Sequence, residues 1–416
     1  MSYNIIIKYA CLFYHAKYVR RRNAMNTLVE DIIKLIRAAL THKKEYLSDG
    51  FSLRTTFPIV KAHDIAALCY YGALECGLST DTPEMTALFD VVCQHIFLNE
   101  QQEYIANEIF SEFGKNQIEY MPVKGILLKK LYPAPEMRVM GDLDILIKTS
   151  QYDIIQDIMQ KLEYTETNES DHELIWCKNG LQVELHKRLI PSYNKDYYAY
   201  FGDGWRLAKQ NDGTKYSMTD EDELIYLFTH YAKHYRDGGV GIKQTVDLWL
   251  YRQSKPNLDE DYIKNELTTL CLYEFYTNVM QTLSVWFDGG IANEKTKLIT
   301  ITIFKSGSFG FHDEHVISSG VKARETSGAK NSAKRNRIRQ ALFLPYADMC
   351  KKYPILEKAP ILLPFMWVRR WVEALFRKRE TIQSTINDIS LMSEENLNAY
   401  QRNLDSVGLA FNFTEE

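Results

Sequence analysis

The spacing of apolar residues divides the chain into helical flanks and a central region of shorter period. From residue 26 to 115 the period is helical: Leu28, Ile32, Ile33, Ile36 and Leu40 recur three and four residues apart. Thr82-Pro83-Glu84 reads as a helix start, with a hydroxyl cap, a proline in the first turn and an acid at the positive end. The helix it opens is expected to reach Phe113, with Gly114 ending it. The pattern then changes. Ile118 to Val123 reads as a strand, Gly125 to Tyr132 as a short helix, Pro133 and Pro135 as a loop, and Val139 to Ile147 as a second strand. Tyr152 to Leu162 is amphipathic at helical spacing. Leu174 to Lys178 and Leu181 to Arg188 flank Asn179-Gly180, a two-residue hairpin signal. Helices return from Thr219, where Thr219-x-x-Asp222 resembles a capping box ahead of Leu224, Leu227, Phe228 and Tyr231. The expected division is a helical region over 1–114, a strand-containing core over 115–205 and a helical region over 206–416. No internal repeat is found.

Composition narrows the classes. The 416 residues, 45% of them apolar, are enough for two or three domains with real cores. A net charge of −4 argues against a protein that coats nucleic acid over its whole surface. The seven cysteines are odd in number and scattered, which suits free thiols in a reducing cytoplasm. Near the N-terminus, Ile5 to Tyr14 is apolar but interrupted by Lys8 and followed by Arg20-Arg21-Arg22, the wrong order for a signal peptide. Residues 1–24 are therefore either a first helix or an upstream extension, with Met25 an equally good start. No run approaches the ~20 apolar residues of a transmembrane helix.

Two C-terminal segments stand apart. Residues 320–340 hold seven Lys/Arg against one Glu, a local charge of +6, and are expected to form a mobile basic linker. Contact of residues 322–339 with RNA or DNA phosphates is the less favoured reading, since no aromatics interleave the charges. Ile361 to Phe376, with Trp367, Arg369, Arg370 and Trp371, is expected to pack on a core with snorkelling arginines rather than lie on a membrane. His312-Asp313-Glu314-His315 reads as a polar loop.

The chemistry concentrates in Gly141-Asp142-Leu143-Asp144-Ile145-Leu146-Ile147. In a strand, Asp142 and Asp144 project from one face while Leu143, Ile145 and Ile147 fill the other. Two adjacent carboxylates repel, and a divalent cation with a preference for hard oxygen ligands is their natural partner. A solvated strand edge is the plainer alternative. Glu184 lies in Gln182-Val183-Glu184-Leu185-His186, on the same strand face as Gln182 and His186. If that strand pairs beside Asp142/Asp144, three acids converge. Three acids can hold two Mg²⁺ ions for an in-line displacement at phosphorus. Upstream, Lys124-Gly125 sits at a strand-to-helix turn, where free N–H groups and a lysine charge favour phosphate. Arg138 could serve the same end. His230 and His234 share a helix face, but no H-E-x-x-H motif is present, and a hydrogen-bonded pair is favoured over zinc. Asp247 is expected to pair with Lys233 or His234.

The run Lys124-Gly125, Tyr132-Pro133, Arg138, Gly141-Asp142-Leu143-Asp144, with Glu184-x-His186 and His230-x-x-Lys233-His234 downstream, resembles an uncharacterised nucleotidyltransferase family of the DNA polymerase β-type superfamily. The resemblance covers roughly residues 115–250. It implies an α+β fold with a polymerase β-like nucleotidyltransferase core, a mixed sheet with helices against it, between N- and C-terminal helical regions. It also implies a Mg²⁺-dependent transfer (Mn²⁺ as a substitute) of a nucleotide from an NTP to an acceptor hydroxyl, the acceptor being a small molecule, RNA or protein. By position, Asp142, Asp144 and Glu184 match the catalytic metal ligands; Lys124, Gly125, Arg138, Gly141, Lys233 and His234 are the expected nucleotide-binding residues. The superfamily usually has Gly-Ser at the turn occupied here by Lys124-Gly125. The rival expectation is a non-catalytic nucleotide-binding or antitoxin-like module on the same fold.

Overall fold

The computed structural model describes residues 26–307, 310, 312–327, 339, 342–377 and 387–411. The expectations for residues 1–24, and for the basic segment over 328–338, fall outside these described residues. Residues 26–41 form α1, whose Ile32, Ile33, Ile36 and Leu40 are buried. It is followed by α2 (Leu53–His63), α3 (Ala66–Glu75) and the long α4 (Pro83–Lys115). Thr82 caps α4 by accepting a hydrogen bond from the Met85 N–H. Gly114 does not end α4. The stop comes at Gln117, whose φ of 57° turns the chain so that the Ile118 N–H reaches back to the Phe113 carbonyl.

The central elements are β1 (Tyr120–Pro122), α5 (Gly125–Leu128), β2 (Asp142–Ile147), α6 (Tyr152–Lys161), β3 (Thr165–Glu169), β4 (Glu173–Lys178) and β5 (Leu181–His186). After α7 (Lys195–Phe201) come β6 (Lys209–Asp212) and β7 (Lys215–Ser217). The seven strands form one mixed sheet in the order β3-β4-β5-β2-β1-β7-β6. The β4–β5 turn has Asn179 and Gly180 both at positive φ, 54° and 80°, as a tight two-residue hairpin requires. Strands β3, β6 and β7 have no apolar alternation in the sequence: β3 and β6 are the sheet's edge strands and largely exposed, and β7 is a half-buried strand of three residues beside β6.

Several expected elements are shorter than read, among them β1, which spans Tyr120–Pro122 and not Ile118 to Val123, and β5, which ends at His186 and not Arg188. Pro133 forces Tyr132 into extended backbone, so the helix after Lys124 is a single α-turn followed by a 3₁₀ turn over Lys129–Leu131. Strand β2 begins at Asp142 rather than Val139 because residues 139 and 140 are held in a loop. Gln102 donates to the Met140 carbonyl at 2.9 Å and Lys243 to the Val139 carbonyl at 3.2 Å.

The sheet separates two cores. Leu143, Ile145 and Ile147 of β2, with Val183 and Leu185 of β5, pack against Ile109 and Phe113 of α4 and Ile155 and Met159 of α6. Each such fully buried side chain contributes about 1.5–3 kcal/mol. On the opposite face Leu146 joins the larger core built from α1–α3 and the C-terminal helices α8 (Asp220–Asp237), α9 (Ile242–Ser254), α10 (Glu260–Thr269), α11 (Tyr273–Phe287) and α12 (Glu294–Ser306). That second face also carries Asp142 and Asp144.

Three C-terminal expectations change. His312–His315 is not a loop but the first turn of α13 (His312–Ser327), which also converts the start of the expected basic linker into helix. Ser318 of α13 donates to the Arg236 carbonyl at 2.9 Å, docking α13 on the end of α8. Among the described side chains, the helix Leu363–Arg377 sets Leu363, Met366 and Trp367 on a small cluster of Met349, Cys350, Tyr353 and Leu356. Its Phe365, Val368 and Val372 are exposed, so that cluster covers only part of the described apolar stripe. Among the described residues no helix is long and apolar enough to cross a membrane.

Candidate active site

Strands β2 and β5 are not joined by a hairpin; they pair in parallel, with Asp142 opposite Gln182, Asp144 opposite Glu184 and Leu146 opposite His186. Alternation then puts Asp142, Asp144, Glu184 and His186 on one sheet face. The face is roofed by α8, through Leu227, His230 and His234, and by the start of α9, through Lys243, Asp247 and Leu248. Between sheet and roof lies a cavity of about 360 Å³. Lys124, Gly125, Arg138, Gly141, Asp142, Asp144, Glu184, Lys233 and His234 all line it.

The acids are not equivalent. Asp144 is buried, and its Oδ1 accepts from Lys124 Nζ at 2.7 Å and from His186 Nε2 at 2.7 Å. Burial opposes its charge, but Lys124 and His186 outweigh burial and hold the carboxyl well below the usual carboxylate range. Asp142 is pushed up by burial and then by Asp144. Glu184 is pushed up to about 8, by burial first and then by Asp142 and Asp144, although Gln182 donates to its Oε1 at 2.8 Å. Three carboxyls with too little positive charge between them are what a divalent cation would neutralise, and their oxygens suit Mg²⁺. Asp144, Glu184 and His186 offer ligand atoms within 4.8 Å of one another; Asp142 stands outside that tight group.

Lys124 occupies an unusual backbone conformation, φ 56° and ψ −120°, which a non-glycine residue adopts at a cost of about 1–3 kcal/mol. The strain aims its side chain at Asp144. Gly125 lets its neighbours close in: a Cβ there would meet Met140 Sδ at 2.8 Å and Arg138 Nη1 at 3.1 Å, so both side chains would have to shift. Because α5 is one turn long, its dipole adds little to phosphate binding.

The cations have separate duties. Arg138 lines the cavity, but its guanidinium is clamped by Asp247, Nε to Oδ1 at 3.1 Å and Nη2 to Oδ2 at 2.9 Å. Tyr132 donates to the same Asp247 oxygen at 2.8 Å. The expected pairing of Asp247 with Lys233 or His234 is thus replaced by a Tyr132–Asp247–Arg138 network that fixes the loop before β2. Lys243 is tied to Asp64 at 3.3 Å. Lys233 has no ion-pair partner among the described residues, and burial, then Lys124, lower its pKa to about 8. It is the cation available to an anion in the cavity. His230 and His234 form the expected pair, Nε2 to Nε2 at 3.2 Å. Burial, reinforced by His234 for one ring and Lys233 for the other, keeps both neutral.

His186, His172, Glu173, Tyr132 and Asp247 were not among the expected site residues. Part of this was legible. Counting outward from the Asn179-Gly180 turn places Glu173 opposite His186, as found. Nothing local in the sequence pairs Arg138 with Asp247, 109 residues away.

The model of a family described as uncharacterised nucleotidyltransferase matches residues 51–288, more than half the chain. No curated protein and no solved structure matches significantly.

Proposed function

Since the chain belongs to this uncharacterised nucleotidyltransferase family, we propose that it moves a nucleotide from an NTP to an acceptor hydroxyl, using Mg²⁺ or Mn²⁺ on a polymerase β-like core. The observation that carries this reading is the parallel β2–β5 pairing, which gathers Asp142, Asp144 and Glu184 on the floor of one cavity. Asp142, Asp144 and Glu184 hold the metal, which when bound stabilises charge on the transferring phosphate and leaving pyrophosphate. Lys233 meets a phosphate from the roof, and Lys124 meets one from the floor once it is released from Asp144. The Arg138–Asp247 clamp and Gly125 keep Gly141 and Asp142 in position. One of the acids takes the acceptor's proton. The free thiols of the described cysteines suit work in the cytoplasm.

The test uses purified protein, each labelled NTP, Mg²⁺ and cell lysate, with pyrophosphate release as a second readout. The expected result is one labelled fraction that disappears in the Asp142→Asn/Asp144→Asn double variant, whose circular dichroism is unchanged. Full transfer by that variant would overturn the assignment. Calorimetric NTP binding without pyrophosphate release would assign the non-catalytic nucleotide-binding role instead.

A further inference from the structure

We propose that His172, Glu173 and His186 form a second metal site, for a Zn²⁺-class ion, beside the acidic centre. It is independent of the nucleotidyl-transfer reading.

The tautomer of His186 is the starting point. Its Nε2 lies 2.7 Å from Asp144 Oδ1. Asp144 Oδ1 accepts there, so Nε2 is committed to that hydrogen bond and Nδ1 is the ring nitrogen left to serve a metal. His186 is only 1% exposed, and its Nδ1 has no hydrogen-bond partner among the described residues. An orphaned buried ring nitrogen of this kind calls for an explanation.

What Nδ1 faces is a carboxylate. Glu173 Oε2 lies 3.7 Å away, on the neighbouring strand at the register position opposite His186. The same Oε2 is 3.0 Å from His172 Nδ1. A carboxylate oxygen and an imidazole nitrogen this close, with no hydrogen bond between them, are what a cation seated between them would join. The ligand atoms of His172, Glu173 and His186 all fall within 4.8 Å of one another. In a tetrahedral site with metal–ligand bonds of about 2.0–2.1 Å, neighbouring ligand atoms stand about 3.3 Å apart.

The donor set selects the ion. Two imidazoles and one carboxylate suit Zn²⁺ and its neighbours, whereas Mg²⁺ takes oxygen and keeps its waters. Asp144 behind His186 supplies the carboxylate–histidine–metal arrangement that orients such ligands. The other two ligands are held by a turn: Ser170 Oγ accepts from the His172 N–H at 3.2 Å and the Glu173 N–H at 3.0 Å. His172 and Glu173 line the cavity, so a fourth coordination position opens into it. Three protein ligands and one open position is the pattern of a zinc site that takes part in chemistry. Asp144 touches both centres, so occupancy of one is felt at the other.

The full-length, metal-free protein is titrated with Zn²⁺ by calorimetry in excess Mg²⁺, and with Co²⁺ by visible absorption. The expected result is one Zn²⁺ per chain that Mg²⁺ does not displace, and intense tetrahedral Co²⁺ bands. His172→Ala and Glu173→Gln should each weaken Zn²⁺ binding by about a hundredfold or more. Asp142→Asn should weaken it less than either ligand variant, since Asp142 is not one of the three ligands. Circular dichroism checks the fold of each variant. Absence of Zn²⁺ binding, with the ¹⁵N signature of a charged His186 ring, would overturn the proposal. So would Zn²⁺ binding that survives both His172→Ala and Glu173→Gln but is lost in Glu184→Gln, which would put the ion at the acidic centre.

Discussion

Lys124 acts as the built-in counter-charge of Asp144, and replacing it should reveal how the site trades a lysine for a metal ion. The pair is buried, with side-chain exposures of 17% and 4% and a separation of 2.7 Å. Removing one partner of a buried ion pair costs roughly 3–5 kcal/mol, because the other charge is left unpaired. His186 still donates to the same Asp144 oxygen, which puts Lys124→Met at the low end, about 3 kcal/mol. Lys124→Gly deletes the same charge but also relaxes the strained φ of 56°. It should therefore lose about 1 kcal/mol less than the methionine variant, after glycine's own entropic cost. Both variants should bind Mn²⁺ at least about tenfold more tightly than the parent, since a +1 charge no longer opposes a +2 ion a few ångströms away. The assay is urea denaturation in EDTA and in saturating Mn²⁺, with Mn²⁺ affinity from calorimetry. The gap between variant and parent should narrow when Mn²⁺ is present. Stability equal to the parent in EDTA, or Mn²⁺ binding that weakens with loss of the lysine, would refute the reasoning.

Two further predictions concern pH. His63 is fully buried, with Nδ1 accepting from the Ile242 N–H and Nε2 donating to the Phe304 carbonyl, each at 3.2 Å. Burial, only partly offset by the Phe304 bond, lowers its pKa from 6.5 to about 4. The unfolded chain thus takes up a proton that the folded one refuses. The contribution is complete above pH 6.5 and is lost as pH falls towards 4, about 3 kcal/mol in all. Denaturation curves at pH 7 and 4.5 should differ by roughly 2 kcal/mol less in His63→Gln than in the parent; an unchanged difference would dismiss the role. At Lys233, whose pKa is lowered to about 8, only the protonated form attracts a phosphate. NTP affinity should therefore weaken by about tenfold per unit above pH 8, a dependence that Lys233→Met abolishes while weakening binding at pH 7. A pH slope that persists in Lys233→Met would assign the titration elsewhere.

Much of the site was legible because it obeys local rules. Alternation alone places Asp142 and Asp144 against Leu143 and Ile145, and Asn179-Gly180 sets the register of β4 on β5, including Glu173 opposite His186. The capped start of α4 and the helical stripe of α8 follow from nearest-neighbour chemistry in the same way. The elements that escaped are of two kinds. Strands β3 and β6 are polar sheet edges with no periodic signal, β7 is too short to show one, and α13 begins in residues whose polarity suggests a loop. The edge strands face water, where composition carries little information about backbone state.

Which residues share a strand face follows from the two-residue period of the pleat alone. The chemistry on offer, paired acids with a lysine and histidines nearby, is likewise written in the chain. Long-range packing set the rest, laying β5 parallel to β2 so that Glu184 stands beside Asp144. It likewise decided that Asp247 restrains Arg138 and leaves Lys233 as the cation without an ion-pair partner among the described residues. Those choices follow from burial of the two cores on either side of the sheet. Strand partners and buried ion pairs form between residues far apart in the chain, wherever packing removes them from water together.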